Sequence, residues 1–108
     1  MTRFLTQATL ATALGLLLVA PARADEKLAD QKLCLNCHKV DKPQVGPAFK
    51  AVAARYASDK DAVARLAERI QKGSVPNKGN WGVVPMPANT QVSAAEARQL
   101  ATWVLGLK

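Results

Sequence analysis

The chain is poor in the side chains that carry most site chemistry. Its 108 residues contain two cysteines, one histidine and two methionines. A structural zinc site needs four Cys or His ligands, and the sequence has three such residues in all. No stretch reads convincingly as a strand, which removes the β-α-β setting of a thioredoxin-like dithiol. No repeat, low-complexity tract or linker divides the sequence, and its length allows one domain. Past the first two dozen residues there is no second apolar run of membrane-spanning length. The lysines are scattered, which is not a nucleic-acid footprint.

What is present begins with a leader-like segment. Arg3 gives a weakly basic start, Leu10 to Ala20 is an uncharged apolar stretch of 11 residues, and Ala22-Arg23-Ala24 provides an A-x-A cleavage pattern. These features predict a signal peptide over residues 1–24 and a mature domain of 84 residues, 25–108, soluble in the periplasm. An uncleaved anchor is the alternative: counted from Phe4 the uncharged stretch is 17 residues, at the low end of the roughly 17–25 that span a bilayer. Losing Arg3 and Arg23 lowers the net charge from +7 to +5, with 13 basic and 8 acidic residues left. That balance suits electrostatic steering onto an acidic partner, and equally a plain solvated surface. An oxidising compartment permits disulfides, but a bridge between Cys34 and Cys37 closes too small a loop to stabilise much. So small a domain is marginal for a self-sufficient core. A buried cofactor would help by binding the native state alone.

Helical periods dominate the rest, predicting an all-α fold. Asp25 to Leu33 opens with two acids, suited to a helix N-terminus, and presents Leu28 and Leu33 for burial. Asp41 to Pro47 is turn chemistry. Ala48 to Tyr56 resumes a short helix with Phe49, Val52, Ala53 and Tyr56 on one side. A further helix is expected to start at Ser58, with Asp61 as its capping-box partner, and to stop at Gly73. Val63, Leu66, Ala67 and Ile70 form its apolar stripe. Ser93 and Glu96 repeat the capping box before a last helix carrying Ala97, Leu100, Ala101, Val104 and Leu105. Between the last two helices lie 18 residues, Ser74 to Gln91, without helical period. A loop of that length in a small domain implies a function or something to wrap.

CLNCH, residues 34–38, holds both cysteines and the histidine. On a helical turn Cys34 and Cys37 stand three apart, and His38 is four from Cys34, so all three share a face. Two thiols can add to the two vinyl groups of a porphyrin while the imidazole lies under its iron, and C-x-x-C-H is the c-type haem attachment signature. The mature chain has one methionine, Met86, between Pro85 and Pro87 in the long loop and 48 residues after His38. Methionine usually fills core gaps. Here two prolines stiffen the backbone, which suits a thioether held at a fixed distance as the iron's sixth ligand.

With these stretches, VGPAFKAVAARYA (Val45 to Ala57), LAERIQKGS (Leu66 to Ser74), WGVVPMPAN (Trp81 to Asn89) and the terminal LATWVLGLK, the chain resembles the small bacterial class I cytochromes c of the c-551/c-552 type. The likeness runs from about Leu28 to Lys108. It implies about four helices wrapped around one haem, joined by thioethers to Cys34 and Cys37, with His38 and Met86 as axial metal ligands. It further implies that the Pro47 carbonyl accepts the His38 ring N–H, that Arg69 and Trp81 hydrogen-bond a haem propionate, and that the Asn89 amide approaches the Met86 sulfur. Arg69 fits a surface helix charge as well, and Trp81 a core ring. The sequence departs from the family pattern at Val75 to Asn80, a few residues longer than usual, and at Leu33, where a small residue is common. The implied function is single-electron transport between redox proteins, with donors such as a cytochrome bc complex and acceptors such as a terminal oxidase or nitrite reductase, none of them singled out by these residues. Lys39, Lys42, Lys50 and Lys78 are expected to orient the partner. A peroxidatic or ligand-binding enzyme in which Met86 detaches, and a sensor that uses haem only to fold, are the competing classes.

Overall fold

The described residues form four α-helices, α1 (Ala22–Gln31), α2 (Phe49–Arg55), α3 (Ala62–Lys72) and α4 (Ala94–Leu105), with one 3-10 turn at Cys34–Asn36. This computed structural model describes residues 22–74, 81 and 84–108, with Gly15 standing alone. Among the described residues there is no strand, and the all-α expectation holds. Most of the expected leader, including its apolar stretch, lies outside the described residues, as do Val75 to Asn80. None of the described helices is long and apolar enough to cross a membrane.

The C-terminal helix is the hub, packing against α1, α2 and α3. Its buried stripe is Ala97, Leu100, Ala101, Trp103 and Val104. Ala29, Ala97 and Ala101 are all 0% exposed, so the helices approach through methyl groups rather than interlocking large side chains. Among the described residues Leu100 is the one large side chain fully buried. That is a thin core for a free-standing domain. Many of the remaining apolar side chains face a cavity instead.

The local signals fix most helix ends. α4 starts with the expected capping box: Glu96 N–H donates to Ser93 Oγ at 3.1 Å and Ser93 N–H to Glu96 Oε1 at 3.0 Å. The Ser93 N–H bond, helped by Lys32, holds the Glu96 carboxyl below the usual carboxylate range. α3 ends at Gly73 in the left-handed region, φ +76°. Its start differs from expectation. The helix begins at Ala62, with Asp61 at the N-cap and no side-chain cap bond. Asp59 has displaced the Ser58 cap: its Oδ1 accepts the Asp61 N–H at 2.8 Å and its Oδ2 pairs with Arg65 at 3.1 Å. A short carboxylate bonding its own backbone two residues on favours a turn over an earlier helix start.

Leu33 is the second correction. Expected in the core, it is 61% exposed. α1 ends at Gln31, and the chain reverses into the 3-10 turn through Leu33 at φ +67°, ψ +14°, a left-handed position that turns the side chain out to solvent. Glycine is the usual occupant of such a helix exit, which agrees with the small residue common there in the resembled family.

Candidate functional site

The loop from Cys37 to Phe49 folds back on itself to cage one imidazole. Gly46 N–H donates to the Cys37 carbonyl at 2.7 Å, Gln44 N–H to the Gly46 carbonyl at 3.0 Å, and Phe49 N–H to the Lys39 carbonyl at 2.9 Å. Inside, His38 is only 9% exposed. Its Nδ1 lies 2.8 Å from the Pro47 carbonyl. A carbonyl only accepts, so Nδ1 is the donor of this bond and Nε2 is the ring nitrogen left for a ligand. A hydrogen bond of this kind sets tautomer, orientation and basicity of a ligating histidine. Phe49 stacks on the imidazole with ring centroids 4.9 Å apart, and itself meets Trp103 edge-on at 5.5 Å.

Gly46 is the site residue that sequence reasoning missed. A Cβ there would lie 2.5 Å from His38 Cε1, 2.8 Å from Nδ1 and 3.0 Å from Nε2. Turn composition marked the position as a bend. That the bend lies flat against the histidine ring has no local sequence signal.

His38 and Cys37 open onto a cavity that also takes in Pro47, Arg69, Trp81 and Met86. It encloses about 1130 Å³ of atom-free space, the solvent of its open mouth included. Its walls are apolar, from Phe49, Val52, Leu66 and Ile70 to Ala101 and Val104. Such apolar walls suit a large planar macrocycle, with an imidazole from one loop and a thioether residue from another lining the same space. Arg69 at the margin provides a charge suited to carboxylates.

The other expected residues fall as follows. Cys34 lies outside the cavity lining, half-buried against the core. It is tied to the site through its carbonyl, which accepts the N–H groups of Cys37 at 3.2 Å and His38 at 3.0 Å. Burial pushes its thiol above the ordinary range, against a hydrogen bond from its own backbone N–H, with Cys37 nearby adding to the rise. Trp81 is 41% exposed, which removes the core-ring alternative. The Arg55 guanidinium stands 4.9 Å over its ring. Arg69 is exposed, and among the described residues its Nη1 makes a long 3.5 Å contact with the Gly73 carbonyl. The Asn89 amide nitrogen donates to the Ile70 carbonyl at 2.8 Å and the Pro87 carbonyl at 3.4 Å, so both its protons serve backbone carbonyls. An approach to sulfur requires it to give up the longer bond. Of the four lysines expected to orient a partner, Lys39 donates to the Leu35 carbonyl at 3.1 Å and Lys50 pairs with Asp41 at 2.7 Å. Lys42 is exposed and Lys78 lies outside the described residues.

The sequence pattern of the cytochrome c family matches residues 24–108. The chain belongs to the cytochrome c family. Cytochrome c-552 of Nitrosomonas europaea is 47% identical over 94 residues, covering 87% of this chain and 88% of that protein. Cytochrome c-551 of Allochromatium vinosum is 50% identical over 90 residues, 82% of this chain and 93% of that one. The crystal structure of wild-type Nitrosomonas europaea cytochrome c552 superposes with a TM-score of 0.72 at 47% identity, covering 77% of this chain and 99% of that one. The resemblance to the c-551/c-552 type is thereby shown, with the class I cytochrome c fold. This cytochrome c carries a covalently attached c-type haem with its iron. It is an electron carrier working with redox protein partners.

Proposed function

We propose that residues 1–24 are removed on export and that residues 25–108 form a monomeric periplasmic carrier of single electrons. In this reading Cys34 and Cys37 hold the haem by thioethers, His38 and Met86 take the two axial positions, and Arg69 and Trp81 face a propionate. The haem supplies a one-electron couple at its iron. The chain supplies the rest. Pro47 keeps the His38 proton on Nδ1 and so leaves Nε2 for the metal. Met86 presents a soft, neutral sulfur, a ligand that favours the ferrous state and, paired with histidine, raises the potential. The apolar walls exclude water. Two protein ligands, His38 and Met86, would leave no position on the iron for a substrate, which supports outer-sphere transfer over catalysis.

The observation that carries this reading is that His38, its Nδ1 engaged by the Pro47 carbonyl, and Met86, the one methionine of residues 25–108, border the same cavity. Met86→Ala in the holoprotein is the test. The expected result is loss of the ferric low-spin spectrum and of its far-red sulfur-to-iron band, while the pigment resists acid-acetone extraction. Pigment that washes out refutes the thioethers; a spectrum unchanged by the substitution refutes Met86 as ligand.

A further inference from the structure

Pro85 and Pro87 have no backbone N–H, so Met86 carries the one main-chain donor of the Pro-Met-Pro run. Ser74 takes it: Met86 N–H donates to Ser74 Oγ at 2.7 Å. The bond is returned, for Ser74 N–H donates to the Met86 carbonyl at 2.9 Å. Both main-chain polar groups of Met86 are thus fixed by one residue, 12 positions earlier, just past the end of α3. Gly73 makes the approach possible. Its N–H closes on the Arg69 carbonyl at 2.8 Å. At its φ of +76° a Cβ would lie 2.5 Å from Met86 O, 2.8 Å from Ala88 N and 2.9 Å from Pro87 C. Three residues beyond Met86, Asn89 fastens the same segment to α3 through its N–H and side chain, both on the Ile70 carbonyl at 3.2 and 2.8 Å.

We propose that Ser74 is the positioning residue of Met86. Through its hydroxyl it keeps the Met86 main chain against the end of α3, and so sets how often the sulfur leaves the iron and opens the sixth position to outside ligands. The proposal rests on the reading of Met86 as an axial ligand. With both main-chain groups held, swinging the sulfur away leaves only the side-chain torsions to move. Without the hydroxyl, the Met86 N–H is stranded and the run is held at Met86 by the Ser74 N–H bond alone, so it lifts more often.

The test is the binding of imidazole to the ferric holoprotein and of carbon monoxide to the ferrous form. In Ser74→Ala both should bind about tenfold faster, a factor equal to about 1.4 kcal/mol, within the range for stranding one half-buried N–H. Ser74→Thr keeps the hydroxyl and should stay within about twofold of wild type. Ser93→Ala is the control for general loosening: it loses the α4 cap, lowers thermal stability, and should leave the binding rates alone. Wild-type rates in Ser74→Ala overturn the proposal, and so does an equal acceleration in Ser93→Ala. Should Ser74→Ala not mature, amide exchange in the unsubstituted ferrous holoprotein decides. A protected Met86 N–H supports the bond; exchange as fast as an open loop overturns it. Failure of the axial reading is seen separately, as absence of the sulfur-to-iron band from the wild-type ferric protein.

Discussion

A single methyl group at position 46 tests the cage around the histidine. In Gly46→Ala the new carbon arrives 2.5 to 3.0 Å from three atoms of the His38 ring, well inside ordinary contact. The loop has little freedom to retreat, since Gly46 N–H is bonded to Cys37 O at 2.7 Å and Gly46 O receives the Gln44 N–H at 3.0 Å. The ring has little freedom either, stacked on Phe49 at 4.9 Å and bonded to Pro47 at 2.8 Å. Overpacking of this kind costs about 1–3 kcal/mol, and giving up the Nδ1 bond adds about 0.5–1.5 kcal/mol. The expected loss is therefore about 2–4 kcal/mol, a fall in Tm of about 10 °C or more for a domain of this length. Thermal and denaturant unfolding of the holoprotein, followed in the haem absorption, measure it. Proton NMR of the His38 ring shows whether the imidazole has turned. A loss below about 0.5 kcal/mol, the scale of an ordinary surface change, with an unmoved ring would refute the confinement.

Position 33 should invert a familiar preference. Leu33→Gly and Leu33→Ala lose the same side-chain contacts, but the left-handed backbone penalises alanine by about 1–2 kcal/mol. Glycine gives back about 0.4–1 kcal/mol through its freer unfolded chain, so the glycine variant should be the more stable by about 0.5–1 kcal/mol in denaturant unfolding. Alanine equal or superior would show that Leu33 is not held at positive φ. The α4 cap predicts a pH dependence. Folding lowers the Glu96 pKa, so its stabilisation is complete above the unfolded value of about 4.3 and is lost as pH falls through the lower folded value. Wild type should exceed Glu96→Gln in urea midpoint at neutral pH, with the gap closing in acid. A gap that persists in acid means the carboxylate charge is not its source.

The haem-site reading drew on signals of two kinds. CLNCH is local, and a chain with one histidine leaves no choice of imidazole. Ser93 with Glu96, and Gly73 after Lys72, are local too, and both helix ends stand where their chemistry put them. Sequence misleads where short polar side chains have rival backbone partners, as at Asp59 against Ser58, or where spacing alone marks an apolar residue for the core, as at Leu33. Gly46 and Ser74 show a third kind of limit. Their roles exist only once distant segments meet, the one against an imidazole eight residues back, the other against a methionine across the long loop. A turn-forming glycine and a post-helix serine look ordinary until the fold brings their partners to them.

The Asp25 carboxyl, 8% exposed, accepts the Gln99 amide at 2.6 Å across a separation of 74 residues. The ribosome thus makes α1 long before the α4 surface that buries it. Until the last turns emerge, the face around Ala29 has no mate, and no N-terminal fragment can seal the domain. Closure over so long a contour is entropically slow. Biosynthesis therefore hands over a nearly complete polypeptide in which α1 still waits for α4.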